Sequence, residues 1–320
     1  METKVKKENK STLFNLDPTT YDQFQRHHVV VVIPAYNEER FIGSVVLKLL
    51  QYPISVIVVD DGSMDLTAMV AETAGAIVVQ HEYNSGKGQA LNTGIVEALK
   101  MHPEVIVAID GDGQHLAREL PRLVRPILDG EADIVVGSRY LEGKTNTPAH
   151  RQLAHWFFNT LTGVTSQVNL TDSQSGYRAF SSRAFDQELF KSTDFTVESE
   201  MQFFAHEYNL SVKEVPVTIN YTDPPKRSAI KQGTSVLNGI LHLIGQYRPL
   251  LFFGMPGGII LLAGFGMGFW VIEIYRQSTQ LAVGYAMISV LLSVIGMVLF
   301  STGIILHSVR GLLTDLLRRK

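Results

Sequence analysis

The densest chemistry in the chain lies in Asp110-Gly111-Asp112-Gly113-Gln114-His115, directly after the apolar run Val105-Ile106-Val107-Ala108-Ile109. The run reads as a buried strand, so the carboxylates sit at its C-terminal end. Ligands of open α/β sheets bind beyond the carboxyl ends of the strands. Two carboxylates one residue apart in a glycine-rich turn suit a hard divalent cation that keeps waters and shares a substrate's phosphates. A nucleotide diphosphate is the matching partner. Asp and Gly are also ordinary turn residues, so the hexapeptide alone leaves a plain turn open.

The elements around it decide between these. Strands are expected at Val29–Ile33, Ser55–Val59, Ala76–Gln80, Val105–Ile109 and Asp133–Val136. Helical patterns fill the gaps at Glu39–Gln51, Asp65–Ala74, Gln89–Lys100 and Arg118–Asp129. Such alternation predicts a mostly parallel sheet with helices on both faces. Right-handed crossovers then bring every strand's C-terminal end to one edge. That edge collects Pro34-Ala35-Tyr36-Asn37-Glu38, Asp60-Asp61-Gly62-Ser63, Asn84-Ser85-Gly86-Lys87-Gly88, the Asp110/Asp112 pair and Gly137-Ser138-Arg139. Five polar clusters on one edge point to a ligand site. No Gly-x-Gly-x-x-Gly follows the first strand, and Gly86-Lys87-Gly88 lacks the rest of a P-loop.

The 320 residues carry a formal charge of −3 and no cysteine. Disulfides, thiolate zinc sites and thiol nucleophiles are excluded, and nothing in the charge pattern calls for nucleic acid. Residues 1–27 read as a polar N-terminal extension without a secretory signal. Two stretches free of Asp, Glu, Lys and Arg follow at about 250–272 and 281–307, within a region 249–310, each long enough to cross a bilayer as a helix. Residues 228–248 read as an amphipathic helix at the interface, with Val236, Ile240, Leu243 and Ile244 at helical spacing. Residues 311–320 form a basic tail. Lys226, Arg227, Lys231 and Arg248 precede the spans, and Arg310, Arg318, Arg319 and Lys320 follow them. The positive-inside rule then puts residues 28–227 on the cytoplasmic face of a two-span membrane protein. Gly254, Gly257, Gly258, Gly264 and Gly268 would permit close helix packing, including a homo-oligomer.

Taken together, Val32-Ile33-Pro34-Ala35-Tyr36-Asn37-Glu38-Glu39, Val59-Asp60-Asp61-Gly62-Ser63, the Asp110–His115 turn, Gly137-Ser138-Arg139 and Asp172-Ser173-Gln174-Ser175-Gly176-Tyr177-Arg178 resemble a family 2 glycosyltransferase. The similarity spans residues 29 to about 225 and is greatest to the dolichyl-phosphate mannose synthase and polyprenyl-phosphate glycosyltransferase branch. It implies the GT-A nucleotide-sugar-binding fold, with the C-terminal hairpin as a feature of a sub-branch. Met64 departs from the small residue common there.

The resemblance implies roles. Pro34, Tyr36, Glu38 and Asp61 would hold the base and ribose, and Asp110 would support the ribose. Asp112 with Gln114 would ligate Mg²⁺ or Mn²⁺ on the diphosphate, with Lys87 adding charge there. Arg139, Arg151 and Arg227 offer planar forks suited to an acceptor phosphate. Asp172 is a base or an orienting residue, and Glu198 lines the sugar pocket. A phosphate is already anionic near neutral pH, so such an acceptor needs alignment more than a base. The expected reaction is inverting transfer of one sugar from a nucleotide diphosphate to polyprenyl or dolichyl phosphate. UDP-N-acetylglucosamine or UDP-glucose is favoured, and GDP-mannose stays open. The rivals are a processive polysaccharide synthase and a non-catalytic membrane scaffold. The first needs more spans and a Gln-x-x-Arg-Trp grip, and Gln152-Leu153-Ala154-His155-Trp156 lacks the arginine.

Overall fold

The computed structural model describes residues 18–141, 149–186, 189–192, 196–220, 229–280 and 282–318. They divide into two units, one up to Leu237 and one from Asn238.

The first unit is built on a sheet of seven strands: β1 (Val29–Ala35), β2 (Ser55–Asp60), β3 (Ile77–Gln80), β4 (Val105–Ala108), β5 (Ile134–Ser138), β6 (Arg178–Ser181) and β7 (Val212–Pro216). Their order is β3-β2-β1-β4-β6-β5-β7. The helices are α1 (Pro18–Arg26), α2 (Ile42–Leu49), α3 (Thr67–Thr73), α4 (Lys87–Leu99), α5 (Leu120–Leu128), α6 (Ala149–Ser166) and α7 (Val197–Glu207). β1 reads as one apolar run because both of its faces are covered. Val29, Val31 and Ile33 join a core with Ile42, Leu49 and Leu120. Val30 and Val32 point the other way, into a core with Ile95, Met201 and Phe204. α4 sits so close to β1 that a Cβ at Gly94 would lie 2.2 Å from a Val32 methyl.

The expected mostly parallel sheet is present, with two strands that the apolar pattern did not announce. β6 runs antiparallel to both β4 and β5, pairing Ala179 with Val107 and Val135. β7 pairs with β5 in parallel. The reversal of β6 has a consequence for chemistry. Its N-terminal end lies at the edge where the parallel strands have their C-terminal ends, so the segment 172–178 meets the Asp110 turn. Gly176 marks the contact: a Cβ there would fall 2.6 Å from the Asp110 carboxylate.

The second unit begins within α8 (Ala229–Tyr247) and continues through one π-helical turn at Leu250–Gly254 into α9 (Met255–Ser278) and α10 (Val283–Arg318). α8 falls within the expected interfacial segment and buries Ile240, Leu243 and Ile244. Leu250–Ser278 and Val283–Leu312 are long and apolar enough to cross a membrane, both longer than the expected spans. They pack as a hairpin through backbone contact. A Cβ at Gly257 would lie 2.4 Å from the Phe300 nitrogen, and one at Gly296 2.4 Å from the Leu261 nitrogen. Ser289 donates to the Gly264 carbonyl at 2.8 Å. Gly254, Gly257 and Gly264 therefore serve contacts inside this chain. Arg310 stacks on Tyr247 at 4.7 Å, linking the end of α8 to α10.

Candidate active site

The edge of the sheet divides into two halves. At the β1–β3 end, loops are stitched by side chains that accept backbone N–H groups. Asn37 takes a left-handed backbone (φ 54°). Its N–H donates to Ser63 Oγ at 2.8 Å, and its side-chain oxygen accepts the Met64 N–H at 2.9 Å. The Glu38 N–H donates to Thr67 Oγ1 at 2.8 Å. Asp61 is buried and accepts the Ser85 and Gly86 N–H groups at 2.8 Å each. His81 bridges Asp61 at 2.8 Å and Thr93 Oγ1 at 3.0 Å. Asp61, expected at the base, therefore also fixes the loop that leads into α4. Tyr36 and Glu38 are half-buried on the same loop system, and Pro34 lines a small void with Lys87, Asp110 and Glu198.

The Asp110 turn is an acidic cluster with one cation in it. Lys87 contacts Asp110 Oδ1 at 2.5 Å and Glu198 Oε1 at 2.6 Å. Burial disfavours its ammonium, but the two carboxylates outweigh that and raise its pKa. Burial likewise works against the Asp110 carboxylate, and Lys87 with His115 holds its pKa below the ordinary value. Asp112 goes the other way. Burial and the neighbouring Asp110 charge push its carboxyl up to about 6, against one hydrogen bond from the Gln114 N–H. Glu38 adds to the push, so it faces the same space. His115 lies 4.0 Å from Asp110, and burial takes its pKa down to about 4. Its Nδ1 is buried with no hydrogen-bond partner.

At the β5–β6 end the chemistry is an ion pair. Arg139 grips Asp172 through Nε at 2.5 Å and Nη2 at 2.6 Å, and its backbone N–H adds 3.1 Å. Asp172 is 0% exposed. Glu214 of β7 holds this loop by accepting the Thr171 and Asp172 N–H groups. Arg178 is buried and donates to the Ser173 and Ser175 carbonyls. Burial takes its pKa down to about 10, with Glu198, Asp172 and Glu214 opposing. Arg151 stands in the first turns of α6, where its side chain is not among those described, and Arg227 lies outside the described residues.

Most of the expected residues thus meet at one edge. Lys87 lies between carboxylates, and Arg139 has two fork nitrogens on Asp172. Arg178, His81, His115 and Glu214 were not singled out from sequence. Arg178 had a signal, since it ends the quoted Asp172–Arg178 segment. His115 likewise ends the quoted Asp110–His115 turn, whereas His81 and Glu214 had no signal, because their partners lie far away in the chain.

A divalent cation fits this donor set in one way. Among the described residues no cluster of three or more His, Asp or Glu could cage a metal. Asp112 supplies a hard oxygen whose pKa is raised by burial and then by the Asp110 charge, and a cation would offset both. The remaining ligands would then be water and diphosphate oxygens, the arrangement Mg²⁺ and Mn²⁺ accept.

A parallel sheet with one reversed strand and an Asp-x-Asp turn at its edge defines a GT-A-like fold. The chain belongs to Glycosyl transferase family 2, whose sequence profile matches residues 30–192. It is 30% identical to a UDP-N-acetylglucosamine–dolichyl-phosphate N-acetylglucosaminyltransferase of Methanococcus voltae, over 66% of this chain and 91% of that one. It is 32% identical to an undecaprenyl-phosphate mannosyltransferase of Micrococcus luteus, over 59% of this chain and 82% of that one. The fold is shared with glucosyl-3-phosphoglycerate synthase of M. tuberculosis, crystallised with Mn²⁺ and UDP-glucose. That likeness has a TM-score of 0.53 at 23% identity, over 71% of this chain and 81% of the other.

Proposed function

We propose that this enzyme is a membrane-anchored, inverting glycosyltransferase that moves one sugar from a nucleotide diphosphate to a polyprenyl or dolichyl phosphate at the cytoplasmic face. The Methanococcus voltae relative favours UDP-N-acetylglucosamine as donor, with UDP-glucose next. The mannosyl relative keeps GDP-mannose in the comparison.

The observation that carries this reading is the Arg139–Asp172 clamp. A sugar hydroxyl acceptor needs a positioned general base. Asp172, the carboxylate expected beside the reaction, has both oxygens occupied by Arg139. It therefore acts as an orienting group. An acceptor that arrives ionised suits this site, because a phosphate keeps at least one negative charge and its second pKa is about 6. Arg139 and Arg151 align it for attack on the anomeric carbon, opposite the departing diphosphate. Pro34, Tyr36, Glu38 and Asp61 position the nucleotide, and Glu198, fixed by Lys87, faces the sugar. Asp112 and Gln114 would hold Mg²⁺ or Mn²⁺, which when bound neutralises charge building on the diphosphate. Lys87 sets the orientation of Asp110 and keeps it ionised. The basic residues at both ends of the apolar hairpin support a cytoplasmic site.

The test uses the full chain in detergent with labelled nucleotide sugars and polyprenyl phosphate. One donor is expected to yield a labelled glycolipid, and Asp112→Asn to lower the rate by at least about a hundredfold. No product from UDP-N-acetylglucosamine, UDP-glucose or GDP-mannose would overturn the reading. A high-molecular-weight polymer would favour the synthase. Failure to bind UDP or GDP with Mn²⁺ would favour the scaffold.

A further inference from the structure

Helix α6 leaves large apolar side chains on its open face. The face it packs inward carries Phe158, Thr162, Thr165 and Ser166, all buried. Its outward face carries Trp156, 64% exposed, and Val164, 66% exposed. Exposed apolar surface in a concave setting marks an interaction site.

The setting is concave. Trp156, Asn159 and Val164 form one wall of a cleft of about 510 Å³, and Leu170 and Thr171 form the other. Tyr140 closes one end. It is held by a 2.6 Å hydrogen bond to His155 of α6, and the Arg139 guanidinium lies 5.7 Å from its ring centre. The cleft therefore starts where the ion pair is: Tyr140 follows Arg139, and Thr171 precedes Asp172. Asn159 ties the walls together, donating to the Thr171 carbonyl at 2.5 Å and accepting from Ser173. Gln152, Trp156, Thr160 and Val164 recur every fourth residue along the open face, over about 18 Å of helix. Arg151 stands at the start of that stripe.

We infer that this cleft binds the first isoprene units of the acceptor, with the phosphate at the Arg139 end and the chain running along Trp156 towards Val164. The inference rests on the polyprenyl-phosphate reading above and adds the place and the side chains that select an isoprenoid. The cleft begins beside the ion pair and carries Trp156, Val164 and Leu170 along its length, which suits a phosphate followed by hydrocarbon. A bilayer surface would instead meet a flat or convex face.

The experiment measures acceptor KM for the detergent-solubilised full chain with soluble prenyl phosphates, from a single isoprene unit to several. For the unaltered enzyme KM is expected to fall as units are added and then to level off. Trp156→Ala should raise KM for the longer acceptors about tenfold and leave kcat and donor KM unchanged. Val164→Ser should flatten the chain-length dependence at the long end only. Both side chains are exposed, so neither change threatens folding. Variants that follow the chain-length curve of the unaltered enzyme would overturn the inference. So would variants impaired only in vesicles, which would assign Trp156 to the bilayer. If no prenyl phosphate is glycosylated at all, the reading beneath the inference falls as well.

Discussion

The two halves of the sheet edge solve the same problem, fixing polar groups beside a ligand, by opposite means. At the β1–β3 end the ordering comes from single hydrogen bonds spread over several loops: Asn37, Ser63, Thr67 and Asp61 each take up backbone N–H groups. At the β5–β6 end it comes from one ion pair: Arg139 and Asp172 come from different strand ends and are buried together. Hydrogen-bonded loops lose about 0.5–1.5 kcal/mol per bond removed. A buried ion pair loses several times that when one partner goes, because the other charge is stranded. The first half tolerates change by degrees, and the second fails as a unit.

The largest effect is therefore expected from Asp172→Asn. It strands Arg139, whose side chain is 10% exposed, and should cost about 3–5 kcal/mol of stability. Transfer should fall by at least about a hundredfold, while UDP binding in the presence of Mn²⁺, read by calorimetry, stays within about threefold. The double variant Asp172→Asn/Arg139→Gln should regain stability and not activity. Parallel loss of UDP binding would break the comparison, by showing that the two halves are one network.

Next in size is Lys87→Met, which acts where the halves meet. It removes the cation between Asp110 and Glu198, at a cost of about 2–4 kcal/mol. Lys87 holds the Asp110 pKa down, so its loss raises that pKa and moves the acid limb of kcat/KM to higher pH. Donor KM should rise about tenfold, with acceptor KM unchanged. A shift in acceptor KM alone would move Lys87 to the other half.

How much of this was written legibly in the sequence follows the same division. The strands β1, β2, β4 and β5 are apolar runs that stop at polar clusters, and these clusters lie at one edge of the sheet. β6 was not legible in this way: Arg178-Ala179-Phe180-Ser181 is too short and polar to announce a strand, and its direction is set by pairing with Val107 and Val135. The Arg139–Asp172 pair joins residues 33 positions apart, so sequence could nominate both and couple neither. Lys87 was expected to add positive charge near the diphosphate. Only the approach of α7, which brings Glu198, reveals its carboxylate partners. The exposure of Trp156 and Val164 on α6 was equally hidden, since helical spacing alone does not say which stripe turns inward.

Gly176→Ala sharpens the comparison with a smaller perturbation. The added methyl would lie 2.6 Å from the Asp110 carboxylate, so the carboxylate must turn away from Lys87. The fold should lose about 1–2 kcal/mol. Misplacing a positioning group should lower kcat/KM about tenfold to a hundredfold. Thermal unfolding and steady-state kinetics separate the two. Unchanged kinetics would mean that Asp110 does not orient the donor.

The smallest effect should have the opposite sign. Asp112 titrates near 6 in the folded protein, above its ordinary 3.8. A folded-state pKa raised in this way penalises folding wherever the carboxyl is ionised. Each pKa unit corresponds to about 1.4 kcal/mol, and partial exposure reduces the total to about 1–2 kcal/mol. The penalty is present above pH about 6, shrinks as pH falls through it and is gone below about 4. Asp112→Asn, inactive in transfer, should therefore melt higher than the unaltered enzyme at neutral pH in a chelator, and no higher at pH about 4. Adding Mn²⁺ with UDP should reverse the order at neutral pH, because only the carboxylate gains a cation there. An asparagine variant that melts no higher in chelator would mean that the turn holds no stored repulsion. The metal would then bind a relaxed site, and the acidic half of the edge would be as locally satisfied as the loops beside it.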